Sequence, residues 1–267
     1  MDELKVMAKA LKMSFHARMQ YKADSIVATL AVFFRESTGI IVIYLTLMKF
    51  DTLGDWNINE LLFLYSILFL TYSAVVVLFA DLRDFSRMIR EGRFDRLMLT
   101  PRGLLIQLIS NNADVIAAFG HGGLGVLLFI VSANRVGITW NFTTTIYYIS
   151  AIIGGILIQG GMFVFFSSLS FYFVETNSLR DIFYWQMRRF AGYPISIFGK
   201  FFQTIMIYVV PFAFVNYFPA QYLLRKSDLA QYPELYIYVA PLVGVVLYTA
   251  AYIFWRISVK NYKSTGN

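Results

Sequence analysis

Four ionisable residues, Arg35, Glu36, Asp114 and His121, lie inside otherwise apolar runs of this 267-residue chain. Such groups are costly in lipid, and they mark proton relays, ion paths or buried cross-links between helices. Arg35 and Glu36 interrupt the run from Ile26 to Met48, and about 20 Å of helix separates Arg35 from the flanking Lys22 and Lys49. A central charge facing lipid costs about 2.5–3.5 kcal/mol, so both side chains are expected to face protein or water. As i, i+1 neighbours they point in different directions and are not expected to pair with each other. Asn111, Asp114, Ala118, His121 and Gly125 form one helical stripe, small or polar throughout, with Asn112 beside it. With Arg35 and Glu36 it offers either a proton relay or a line of close, hydrogen-bonded helix packing, and packing is the better account.

Other chemistry is excluded by what is missing. The chain has no cysteine and two histidines, His16 and His121, far apart, so no metal centre is expected. No G-x-x-x-x-G-K-[ST] phosphate loop occurs, since Gly199-Lys200 lacks the preceding glycine and the following Ser/Thr. Neither H-E-x-x-H nor G-x-S-x-G is present, so no catalytic residue and no cofactor bound by this chain are expected.

The elements that must position these residues are membrane helices. Hydrophobic residues make up 58% and charged ones 15%, against about 25% charged in a soluble domain. Mean hydropathy is +0.60, and runs near the ~20 residues needed to cross a bilayer recur. The runs do not alternate, which argues against a β-barrel. The fold expected is a single all-α polytopic membrane domain over 1–267, with spans at 26–48, 58–80, 104–131, 142–174, 196–218 and 238–257. No cleavable signal peptide is visible. Residues 1–23 place Leu4, Met7, Leu11, Phe15 and Met19 on one face and Lys5, Lys9, Lys12 and His16 on another, an interfacial amphipathic helix. In the fifth span Pro211 breaks the helix, and 212–224, with Asn216, Tyr217 and Pro219, reads as a re-entrant or outer-leaflet piece covered by protein.

Two polar inserts remain, 81–102 and 175–199. In the first, Leu82, Phe85 and Ile89 fall at i, i+3, i+7, and after Gly92 the residues Phe94, Leu97 and Met98 restart the pattern. Arg83, Arg87 and Arg90 share the opposite face, and Pro101 stops the second piece. This reads as two short helices hinged at a glycine and tethered to spans at both ends. The second insert carries Arg180, Arg188 and Arg189, with Ile182, Phe183, Gln186 and Phe190 on a helical face.

Charge sets the topology. Of 23 Lys and Arg, eighteen fall in the N-terminal segment, the two inserts with Lys200, and the C-terminal end. The positive-inside rule therefore makes both termini and both inserts cytoplasmic. Trp56 and Trp140 mark the outer interface, Trp185 and Trp255 the inner one. The net charge of +7 is accounted for in this way, and no nucleic-acid partner is implied.

Glu91-Gly92-Arg93-Phe94-Asp95-Arg96-Leu97, followed by Pro101, resembles the G-x-[FL]-D-x-x-L-…-P signature of ABC-2 type permeases, in the branch with six spans and no fused ATPase. Pro211 to Ala220 is similar to that branch's P-x-x-x-x-x-Y-x-P-A piece after the fifth span, and the likeness covers essentially the whole chain. Thr100 stands where the family often has a basic residue. The resemblance implies the transmembrane subunit of an ATP-driven exporter in the bacterial cytoplasmic membrane. It would pair with a second permease, identical or paralogous, and dock on separate ATPase subunits that carry ATP and Mg. Phe85, Ile89, Gly92, Phe94, Asp95, Leu97 and Pro101 would form the coupling helices, with apolar residues filling a groove on the ATPase. Arg35, Glu36, Asn111, Asp114 and His121 would line the translocation path or pack between subunits. Aromatic richness suits a hydrophobic or amphipathic cargo, although aromatics fill any membrane core. A proton-coupled secondary transporter using Arg35, Glu36, Asp114 and His121 is the rival reading. Six spans without a convincing inverted repeat count against it.

Overall fold

A computed structural model of the chain describes residues 3–111, 113–173, 175–229 and 231–262, and the side chains of 3, 4, 6, 7, 110 and 111 are outside that description. Expectations resting on the side chains of Leu4, Met7, Asn111 and Asn112 therefore lie outside the described residues. Helices α1 (Glu3–Met19) and α2 (Lys22–Leu47) lead into α3 (Ile58–Leu78). The first insert holds α4 (Ala80–Arg83), α5 (Phe85–Arg90) and α6 (Arg93–Met98). Helices α7 (Leu104–Asn111), α8 (Val115–Ala133) and α9 (Phe142–Leu169) follow. Helices α2, α3, α8, α9 and the late α14 (Leu235–Lys260) are long and apolar enough to cross a membrane. The chain is a polytopic all-α membrane protein.

Local chemistry sets where these helices begin. Asn57 and Glu60 form a reciprocal cap at the start of α3, and Asn141 and Thr144 do the same for α9. The run 104–131 is not one helix. The Asp114 carboxylate accepts the amide of Ala117 at 3.1 Å and caps the start of α8, a new helix after α7 has ended at Asn111. That break removes Asn111 from the stripe expected on α8.

Glycines decide how closely the helices approach. A Cβ on Gly244 of α14 would sit 2.3 Å from the Gly154 carbonyl oxygen of α9, so these two backbones touch. Gly120 of α8 meets Val32 of α2, Gly125 meets Leu70 of α3, and Gly155 of α9 meets Thr71 of α3. The helices thus run side by side in the order α2, α8, α3, α9, α14. Helix α3 is the central one, whereas few residues of α2 are fully buried.

The segment 175–199 differs from the expected insert. At its start Glu175 pairs with Arg90 of the first insert. At its finish the Ser196 hydroxyl donates to Asp228, and Ile197 packs on Gly54 of the α2–α3 loop. That loop and the first insert lie at opposite ends of α3, so 175–199 passes through the whole body. It does so as α10 (Asn177–Arg180), a π-helical stretch (Asp181–Gln186) and α11 (Met187–Phe190). The arginines that suggest an exposed loop mask a fifth crossing with Tyr184 fully buried. Trp185 accordingly lies inside the body, against Tyr72 and Phe163, and not at an interface.

The fifth span expected at 196–218 is instead a re-entrant hairpin. Helix α12 (Lys200–Thr204) continues as a π-helical turn to Val209, and the chain then bends by 75° into Phe212–Leu224. Pro211 occupies the bend. The return arm contains α13 (Tyr217–Leu224), after which Lys226 pairs with Glu60 at 3.0 Å, back at the end where the hairpin began. Its backbone is covered by protein, as depth in a membrane requires. Asn216 donates to the Ala191 carbonyl at 2.7 Å, and Tyr217 and Pro219 are buried. A buried network locks the crossing to the core. Tyr184 donates to the Gln159 carbonyl oxygen at 3.0 Å, and the Gln159 amide donates to Thr71 at 2.9 Å.

Candidate functional site

The ionisable residues of the apolar runs converge on one cavity of about 320 Å³ near the insert end. Tyr72 and His121 each stand six residues inside α3 and α8 from that end, about 9 Å of helix. Glu36, half-buried on α2, is the shared acceptor. Its carboxylate lies 3.5 Å from His121 Nε2 and 3.5 Å from an Arg188 nitrogen. Arg35 also pairs with it at 3.1 Å, contrary to the expectation for i, i+1 neighbours. The long guanidinium arm curls back along the helix surface, which the Cβ directions alone do not anticipate. Arg35 is otherwise largely exposed and faces outward. At the mouth of the cavity Arg83 pairs with Asp114 at 3.5 Å. His121 Nδ1 meets the Ala117 carbonyl of its own helix at 2.7 Å.

Sequence reasoning places Glu36, Asp114 and His121 in the interior but misses Arg83, Tyr72 and above all Arg188. Arg188 is only 8% exposed, and its Cζ sits 4.0 Å from the Tyr72 ring centroid. The available signal is the apolar and aromatic setting Ile182-Phe183-Tyr184-Trp185-Gln186-Met187 before it, which suits a buried helix better than a solvated loop.

The first insert is the second candidate region. Gly92 has φ +65°, the left-handed conformation that lets α5 turn into α6 without strain. Phe94 is fully buried within this chain, edge-on to Phe85 at 5.2 Å and to Tyr262 at 5.1 Å. Phe171 and Trp255 close the cage around Phe85 at 5.4 and 5.2 Å. Asp95 accepts from the Tyr262 hydroxyl at 2.8 Å, and Ile89 is also buried. Phe85, Ile89 and Phe94 are buried and therefore not free to fill a groove on another protein, and the two phenylalanines clamp the insert to the ends of α9 and α14. The insert's free surface is its tip, where Leu99 is 85% exposed beside exposed Arg96, Met98 and Pro101. Leu97 is half-buried.

A further polar knot holds the opposite end. Asp228 accepts from Trp56 Nε1 at 2.7 Å, Ser196 at 2.6 Å and Gln221 at 2.6 Å. Burial alone would raise this carboxyl, but the hydrogen bonds from Ser196, Trp56 and Gln221 outweigh it and hold it below the usual aspartate range. Among the described residues no group of acidic, histidine or cysteine side chains could hold a metal ion.

A row of membrane helices, a re-entrant hairpin and a short-helix insert that turns at Gly92 make up the architecture of a polytopic membrane protein. The family model described as ABC-2 family transporter protein matches residues 26–266, so the chain belongs to the ABC-2 transporter family. It is a transport permease, and its sequence carries no ATPase motif. No curated protein and no solved structure matches it.

Proposed function

We propose that this permease is the membrane subunit of an ATP-driven exporter in a bacterial cytoplasmic membrane. It docks through the insert end on a separate ATPase subunit carrying ATP and Mg, and it pairs with a second permease, identical or paralogous. The carrying observation is the build of the insert. A glycine-hinged helix pair is clamped by Phe94 and Phe85 to α9 and α14, so a push on its exposed tip moves the ends of two spans as a rigid body. The tip residues Arg96, Met98, Leu99 and Pro101 make the docking contact, with Gly92 as hinge, and the buried aromatics pass the movement on. Both termini and the insert face the cytoplasm, as the positive-inside rule requires. Family membership supports an ATPase partner, since such permeases usually work with one. The cargo is hydrophobic or amphipathic.

The test is purification in mild detergent from the native host. A soluble ATPase should accompany the chain in stoichiometric amount and be lost with Leu99→Asp, while Leu64→Asp, at a fully buried position of α3, abolishes the permease itself. If the chain comes alone, with transport insensitive to ATP depletion and sensitive to a collapsed proton gradient, the proton-coupled reading replaces this one. Glu36 and His121 in contact would then be its relay.

A further inference from the structure

The 320 Å³ cavity holds more cation than its own carboxylates satisfy. Arg35, Arg83 and Arg188 line it against Glu36 and Asp114. Asp114 is taken by Arg83, and Glu36 is shared among Arg35, Arg188 and His121. Arg188 is more than nine-tenths buried, yet its Nε and Nη2 have no hydrogen-bond partner among the described residues. The Tyr72 ring covers the face of its guanidinium, so the unmet donors are edge groups that want an acceptor in the plane. A buried donor without an acceptor costs about 1–3 kcal/mol, and more when charged. Nε with one terminal nitrogen is the fork that matches two oxygens of an oxyanion.

We propose that this cavity receives the oxyanion headgroup of an amphiphile, a phosphate held at the Nε–Nη2 edge of Arg188 with Arg35 at the rim. The alkyl chain runs along α2 from Arg35. Thr38, Val42 and Leu45 continue its stripe at helical spacing away from the insert end, and all three are exposed, Val42 by 48% and Leu45 by 58%. Charge at the head of the stripe and bare apolar surface along it complement the two parts of one molecule. The exporter reading makes this amphiphile the cargo class, so the inference rests on that reading for its role but not for the binding itself.

Trp185 lines the same cavity and reports on it. The intact complex, in non-ionic detergent, is titrated with dodecyl phosphate while tryptophan fluorescence is followed. Parallel titrations use dodecyltrimethylammonium, which keeps the chain and lacks the oxyanion, and inorganic phosphate. A saturable change is expected for dodecyl phosphate only, absent in Trp185→Phe and weaker at high salt. Arg188→Gln should raise the apparent Kd on the order of ten-fold, and Arg35→Gln, at an exposed site that does not threaten folding, several-fold. Equal response to dodecyltrimethylammonium, or wild-type affinity in both arginine variants, overturns the proposal. Inorganic phosphate binding as tightly as the alkyl phosphate assigns the site to the free ion and overturns the amphiphile. A failed titration leaves the co-purified ATPase untouched, so it does not resemble a failure of the exporter reading.

Discussion

At the scale of single residues, buried charge and polar knots carry the expected effects. Glu36 is the acceptor common to Arg35, Arg188 and His121. Glu36→Gln leaves three donors around a neutral amide, and removing one partner of a buried charged cluster costs about 3–5 kcal/mol. The expected outcome is a lower melting temperature in detergent, with Arg35→Gln far milder because that side chain is exposed. Asp228 makes a pH prediction of definite sign. Its carboxyl is held below the ordinary value, so the stability it contributes is present above that value, near ~3.9 in an unfolded chain. It is lost as pH falls through the folded-state pKa. Asp228→Asn should be less stable than wild type at pH 6, with the gap in thermal midpoint shrinking below about pH 4. A gap independent of pH would mean that the three hydrogen bonds do not depend on the carboxylate charge.

At the scale of elements, the helices are joined by backbone contact where glycine permits it. Gly244→Ala places a methyl group 2.3 Å from a carbonyl oxygen of α9, and a backbone cannot swing aside as a side chain can. The expected cost is about 1–3 kcal/mol, read as a lower melting temperature and poor yield. Gly123→Ala is the matched control, since nothing lies within 4 Å of the added carbon. Helix propensity should leave that variant neutral or slightly more stable. Phe94→Ala empties the aromatic cage at about 3–5 kcal/mol and unclamps the insert from α14. ATPase activity should become uncoupled from transport while the partner remains bound, whereas Leu99→Asp should abolish binding. Identical phenotypes in these two variants would mean that clamp and tip are not separate parts.

At the scale of the whole molecule, even parity follows from the fifth crossing. With 175–199 traversing the body and 200–224 turning back on itself, α2 begins and α14 ends at the insert end, where Tyr262 meets Asp95. The aromatic cage thus joins α5 and α6 of the insert to the ends of α9 and α14. These helices share the Gly154–Gly244 contact. An ATPase acting on the insert would displace both spans together, and the π-helical stretch Asp181–Gln186 lies beside them against Gln159. Cysteines placed at Leu99 and in an ATPase groove should cross-link in the intact complex, with the yield changing when ATP is bound. No cross-link in either state would place the docking surface elsewhere.

Composition, hydropathy and the local residue pattern determine the membrane class, the apolar helices and the break at Gly92, because each is a local preference of the chain for lipid or for one backbone conformation. The interior placement of Glu36 and His121 is legible for the same reason, since charge in an apolar run has few tolerable environments. Only the tertiary structure decides that an arginine-bearing stretch crosses the body. Its cost is met by partners far away in sequence, with Tyr72 and Glu36 holding Arg188. Only the tertiary structure decides that Phe94 faces inward, because an amphipathic pattern says that one face is covered but not by what. The break at Asp114 and the hairpin at Pro211 are local signals in themselves, but which end the chain returns to is fixed by long-range pairs such as Lys226 with Glu60.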